Sequence, residues 1–150
     1  MGRKTAVVLL LIAVAVALFF WLFPSDQSRI KKLFREGSAA IEKEDIDAVM
    51  SKVSYNYRDE YGLTYLYIRE TLKSVFQRLK DIKVEYENLK IVVHDKTAEA
   101  DMDVRIVATI GNETGYIFGD MPHPVHLKFT LEKERIKWLV TKTEGLPFNQ

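Results

Sequence analysis

The sequence predicts an α+β domain, helices first and an antiparallel sheet after them, preceded by one membrane-spanning helix. Three observations carry this. Residues 6–23 are uninterruptedly apolar; apolar positions then recur with a helical period as far as Lys80; after Asp81 the period falls to two and stays there to Glu144. Helical segments followed by consecutive strands with short turns describe helices packed on an antiparallel sheet, not alternating units around a parallel one.

The first segment opens with a basic head, Met1-Gly2-Arg3-Lys4-Thr5, and continues AVVLLLIAVAVALFFWLF from Ala6 to Phe23. At about 1.5 Å per residue this run makes some 27 Å of helix, close to the roughly 30 Å of a bilayer core. A core helix of a soluble protein would show polar residues on its solvent side, and this one has none. Trp21 and the Phe residues sit where aromatic rings favour the interface, and Pro24-Ser25-Asp26 ends the helix. A cleaved signal peptide is the competing reading. Its small-x-small sites, Ala13-Val14-Ala15 and Ala15-Val16-Ala17, lie inside the run, and cleavage would leave LFFWLF as a new terminus. The expected division is therefore an uncleaved anchor over 1–24 and one domain over 25–150. Arg3 and Lys4 favour a cytoplasmic N-terminus and a domain on the outer side, although Arg29, Lys31, Lys32 and Arg35 pull the other way.

Ser25 or Asp26 caps a helix to about Glu42, with Ile30, Leu33, Phe34, Ala40 and Ile41 on one stripe. The basic residues between them read as a solvated helix face, with contact to anionic headgroups as the alternative. Asp45 opens a short helix carrying Ile46, Val49, Met50 and Val53; 54–62 reads as an aromatic loop; a third helix, 64–80, buries Leu66, Leu72, Val75, Phe76 and Leu79. Strands follow. Ile82, Val84 and Tyr86 alternate with charged residues, and the strand continues from Leu89 to His94 before a turn at Asp95-Lys96. Ala98 to Ile110 alternates most cleanly, and 111–115 reads as a turn. Val125 to Leu131 and Ile136 to Glu144, the latter with Trp138 and Val140, complete the sheet around a turn at 133–135.

This order resembles the nuclear transport factor 2-like (SnoaL-like) superfamily over about residues 26–146. The residues that carry the likeness are the opening helix, Ala40-Ile41-Glu42-Lys43-Glu44-Asp45-Ile46-Asp47-Ala48-Val49-Met50, the aromatic loop Tyr57-Arg58-Asp59-Glu60-Tyr61-Gly62, and the closing strand with Trp138-Leu139-Val140. The resemblance implies a cone-shaped antiparallel sheet packed on the N-terminal helices, with a pocket at its open end. It implies no single activity, because the fold hosts isomerases, dehydratases, cyclases, carriers and partner-binding domains. Steroid isomerases of the family use a strand aspartate, a tyrosine and a protonated acid. That set has no residue-by-residue match here, since Asp101 and Asp103 fall on the polar face of their strand.

Composition narrows the remaining chemistry. The chain has net charge +1, and removing Arg3 and Lys4 leaves −1, so no strong basic field draws nucleic acid. It has no cysteine, which removes disulfides, thiolate sites and a lipidated N-terminal cysteine. No cofactor and no metal are expected: His123 and His126 fall on opposite faces of a strand and lack a third ligand in register. The acidic pairs Asp101/Asp103 and Glu85/Glu87 follow from strand alternation and read as a solvated face. Asn112-Glu113-Thr114 matches a glycosylation acceptor only for a eukaryotic secretory setting. Candidate catalytic residues are Tyr57, Asp59 and Tyr61 in the aromatic loop and His123 between its prolines, at a pocket mouth; candidate ligand contacts are Tyr57, Tyr61, Phe76 and Trp138. The bland alternative has the tyrosines packing the loop while Arg58, Asp59 and Glu60 are solvated. The expectation for function is a membrane-anchored binding module of a cell envelope, holding a small apolar ligand or a partner protein, with the sheet available to a second copy. A small isomerase- or dehydratase-like enzyme is the runner-up.

Overall fold

The computed structural model describes residues 2–147. Helix α1, Arg3–Leu22, buries none of its side chains against the domain. It is long and apolar enough to cross a membrane, by length and composition, with mean hydropathy 3.1. The Ser25 hydroxyl accepts from the Ser28 amide at 3.2 Å and starts α2, Asp26–Glu42. The predicted stripe is the buried one: Ile30, Leu33, Phe34 and Ala40. Asp45 caps α3, Ile46–Met50, by accepting from the Ala48 amide at 3.1 Å, and Thr64 caps α4, Tyr65–Arg78.

Helix α4 is shorter than the periodicity predicts. It ends at Arg78, and β1, Leu79–His94, begins at the next residue with no linker. Leu66 is 70% exposed, so it belongs to the outer face and not to the buried one. Strand β1 runs unbroken past Asn88, where a register shift and a φ of 56° place a bulge.

β1 pairs antiparallel with β2, Thr97–Ile110, and β2 with β4, Val125–Glu134, which pairs with β5, Lys137–Glu144. A fifth strand, β3, Glu113–Phe118, replaces the turn expected at 113–115 and pairs with the far half of β2. The turn is only Gly111-Asn112, with φ 61° at Gly111. β2 thus gives one edge to two partners in succession, Val104 pairing with Val125 and Ile106 with Phe118. The chain between them turns at Gly119, φ 65°, where a Cβ would lie 3.0 Å from the Val104 carbonyl oxygen. The last turn is also displaced: it is Arg135-Ile136, and Ile136 is exposed rather than in the strand. The outer edge of β5 is covered by the aromatic loop, with the Ser54 amide donating to Val140 and the Arg58 amide to Thr141.

The main core lies between α2 and the inner sheet face, with Ala98, Ala100, Met102, Val104, Leu127, Leu131, Trp138 and Val140 meeting Ile30, Leu33 and Phe34. A second cluster, Phe76, Ile82 and Ala108, holds α4 to the start of β1 and the end of β2.

Candidate functional site

Between these two clusters the apolar side chains do not close the space. Two apolar cavities remain. The first, about 300 Å³, lies between α2 and the sheet, where Phe34 and Gly37 face Val84, Tyr86, Val104 and Phe118. The second, about 570 Å³, lies between α4 and the aromatic loop, bounded by Tyr57, Tyr61, Leu63, Ile68 and Leu72. They share four walls: Ile41 at the end of α2, Leu127 and Phe129 on β4, and Leu146 beyond β5. Among the described residues no carboxylate and no histidine lines either cavity. Lys52, on the wall of the first, is spent on an ion pair with Glu36 at 2.6 Å.

The polar part of the site is the loop before α4. Asp59 is 7% exposed, so its oxygens need partners inside the protein. One accepts from the Tyr61 amide at 2.9 Å and the Leu63 amide at 3.0 Å, closing the turn in which Gly62 has φ 75°. The other accepts the Tyr57 hydroxyl at 3.0 Å. Tyr57 is buried, and burial, with the Asp59 carboxylate beside it and the Thr143 hydroxyl opposing, pushes its phenol up to about 12. Tyr61 donates its hydroxyl to the Leu146 carbonyl at 3.1 Å. Both phenols therefore direct their protons at protein acceptors, and what they present to the cavity is ring surface.

Of the residues singled out by sequence, Tyr57 and Tyr61 line the second cavity, and Asp59 stands behind Tyr57, engaged by the loop. Three positions are corrected. His123 does not reach a pocket mouth: its side chain is 82% exposed in the turn after β3, and its ring meets Asp120 at 3.2 Å. Phe76 faces away from both cavities into the second cluster. Trp138 is buried in the main core and lines neither of these two cavities; it borders a separate, more polar one of about 370 Å³ beside Arg29 and Lys137, its indole N–H donating to Asp26 at 3.0 Å. That bond first, and Lys133 second, hold the Asp26 carboxyl below the usual carboxylate range. Sequence reasoning missed the shared walls Ile41, Leu127, Phe129 and Leu146, whose apolar alternation reads the same whether a residue packs a core or faces a cavity.

No protein-family model and no curated protein matches the sequence. Solved structures do match in fold. A protein provisionally named scytalone dehydratase from Novosphingobium aromaticivorans superposes with a TM-score of 0.68 at 13% identity, over 79% of this chain and 80% of that one. A ketosteroid isomerase-like protein from Erwinia carotovora atroseptica gives 0.61 at 15%, over 81% and 95%. A protein of unknown function with a cystatin-like fold from Nostoc punctiforme gives 0.59 at 15%, over 83% and 96%. At these identities the likeness is one of fold. It agrees with the α+β architecture that the resemblance to the nuclear transport factor 2-like superfamily implies.

Proposed function

We propose that this chain is a membrane-anchored binding module of a cell envelope, held by residues 6–23 with its domain on the outer side, and that its paired cavities take one small apolar ligand. The observation that carries the reading is the cavity pair itself: 300 and 570 Å³ are within the range of ligand sites, and the walls are almost wholly apolar. An elongated hydrocarbon or isoprenoid-like molecule fits the chemistry of the walls, with Tyr57, Tyr61, Tyr67, Thr71 and Thr143 supplying the few polar groups at the α4 end. The binding reading is favoured over the enzyme reading by the state of Asp59. A general base must reach its substrate, and this carboxylate lines neither cavity, standing behind Tyr57 and engaged by the loop.

The test uses the full chain in neutral nanodiscs, with thermal unfolding followed as apolar ligands of graded length are added. Saturation at about 100 Kd should stabilise the domain by about 2.7 kcal/mol. Ile41→Trp and Leu146→Trp, each placing a ring at a shared, half-buried wall, should remove the shift. A ligand series with no shift, or an equal shift in both variants, sinks the proposal. Conversion of an added hydroxy- or oxo-compound by the native chain, lost in Asp59→Asn, would establish the enzyme reading instead.

A further inference from the structure

Three segments meet at the end of the domain where the chain arrives from α1: the first turns of α2, the Asp95-Lys96 turn between β1 and β2, and the Arg135-Ile136 turn between β4 and β5. Bonds hold them together. The Lys133 amide donates to the Lys96 carbonyl at 2.8 Å, the Arg29 guanidinium to the Ile136 carbonyl at 3.3 Å, and Asp26 accepts from both Lys133 and Trp138. The charge gathered here is lopsided. Arg29, Lys31, Lys32, Lys96, Lys133, Arg135 and Lys137 stand against Asp26, Glu36, Asp95, Glu132 and Glu134, and of these acids Asp26 is taken by Lys133, Glu36 by Lys52 and Glu134 by Ser54. Lys32 reaches Glu36 only at 3.6 Å.

At the tip of this basic end sits an isoleucine. Ile136 is 75% exposed and lies between Arg135 and Lys137, both exposed. Hairpin tips are ordinarily polar. An aliphatic side chain flanked by cations suits a bilayer surface, where the cations meet anionic headgroups and the apolar group enters the interface. Chain length agrees with this. Five residues lie between Phe23 and Arg29, a span of at most about 21 Å even if fully extended, and Arg29 touches the hairpin tip.

We propose that this end of the domain docks on anionic phospholipid, with Ile136 entering the interface and Arg29, Lys96, Arg135 and Lys137 pairing with headgroup phosphates. The proposal rests on the anchored reading above, since the tether supplies the local concentration that makes weak pairings count. The basic residues of α2 then act with two turns distant in sequence as one surface, instead of forming a solvated helix face alone.

The absence of native cysteine allows a single label. Ile136→Cys in the full chain, carrying an environment-sensitive fluorophore, is reconstituted in phosphatidylcholine vesicles with and without phosphatidylglycerol. Asn112→Cys, at the opposite end of β2, serves as the control. The expected result is a blue shift and quenching by bromolipid at position 136 in anionic vesicles, weakened by salt, with neither at position 112. Reversing Lys96, Arg135 and Lys137 to Glu should weaken the response by roughly fivefold per residue. No response at 136 in anionic vesicles, a response equal to that at 112, or one indifferent to the three reversals overturns the proposal. Carbonate-resistant flotation on neutral vesicles reports the anchor separately: its failure rejects the spanning reading, while the label at 136 still decides docking.

Discussion

Asp59→Ala removes the acceptor that closes the aromatic loop and should be among the most damaging single changes outside the main core. The carboxylate is 7% exposed and receives three hydrogen bonds, from the amides of Tyr61 and Leu63 and from the Tyr57 hydroxyl. Bonds to a charged acceptor are worth about 1.5–3 kcal/mol each, and water entering the vacated space recovers part of that for the two amides. A loss of about 3–4 kcal/mol follows. Asp59→Asn should cost only about 1 kcal/mol, because its amide oxygen keeps both backbone donors and its NH2 turns to the Tyr57 oxygen as donor. The assay is urea unfolding of the full chain in neutral nanodiscs, followed by near-ultraviolet circular dichroism. With a slope of about 1–3 kcal/mol per molar, Asp59→Ala should move the midpoint down by roughly 2 M and Asp59→Asn by well under 1 M. An alanine variant within about 1 kcal/mol of the native chain would refute the loop-closing role. An asparagine variant as weak as the alanine one would mean that charge, not the bond pattern, holds the loop.

Other consequences can be checked alongside. Gly145→Ala should cost about 3 kcal/mol by thermal unfolding, since φ is 92° and the new Cβ would collide with the His126 carbonyl. The His126 ring sits between Asp103 at 2.9 Å and Asp101 at 3.3 Å, and the Asp103 bond chiefly raises its pKa above the usual value, so by NMR titration it should stay protonated past pH 6.5. The sign follows: the stability it adds is complete below the unfolded value and is lost as pH rises through the raised one, so His126→Gln should lose most relative to the native chain on the acid side. Asp26 is the opposite case, its folded pKa lowered by Trp138 and Lys133, so its contribution is present above the ordinary carboxylate value and disappears as pH falls through the depressed one. Asp26→Ala should therefore cost about 1 kcal/mol at neutral pH in chemical unfolding, and progressively less as the medium is made more acid than the ordinary carboxylate range.

Where sequence and structure part company, the reasons are local. The stripe on α2 and the caps at Ser25 and Asp45 were legible because capping and a buried helical face each leave a pattern in consecutive residues. Strand β3 left none: five of its six residues are exposed, so it has no inward phase to alternate with, and its Gly115 argues for a turn. Leu66 fits the helical stripe by spacing, yet it lies in the first turn of α4, beyond the reach of the sheet. At the site, the tyrosines of the loop were visible as an unusual cluster. Asp59 was harder, since an acidic residue beside Arg58 and Glu60 reads as solvated until the turn that buries it is known. The cavity itself was illegible, because an unfilled space is a relation between Ile41, Leu127, Phe129 and Leu146 that no one segment contains.

The seamless join of α4 to β1 bears on how the cavities behave. With no slack between Arg78 and Leu79, the tilt of the helix and the twist of the first strand residues form a single mechanical degree of freedom. Ile68 and Leu72 on the helix bound one cavity while Val84 and Tyr86 on the strand bound the other. Widening the second cavity by lifting α4 would wind β1 against its pairing with β2, and so narrow or distort the first. If the proposed ligand is bound there, the chamber acts as a gauge of fixed bore, and guests would be sorted by girth and length before any polar contact is made.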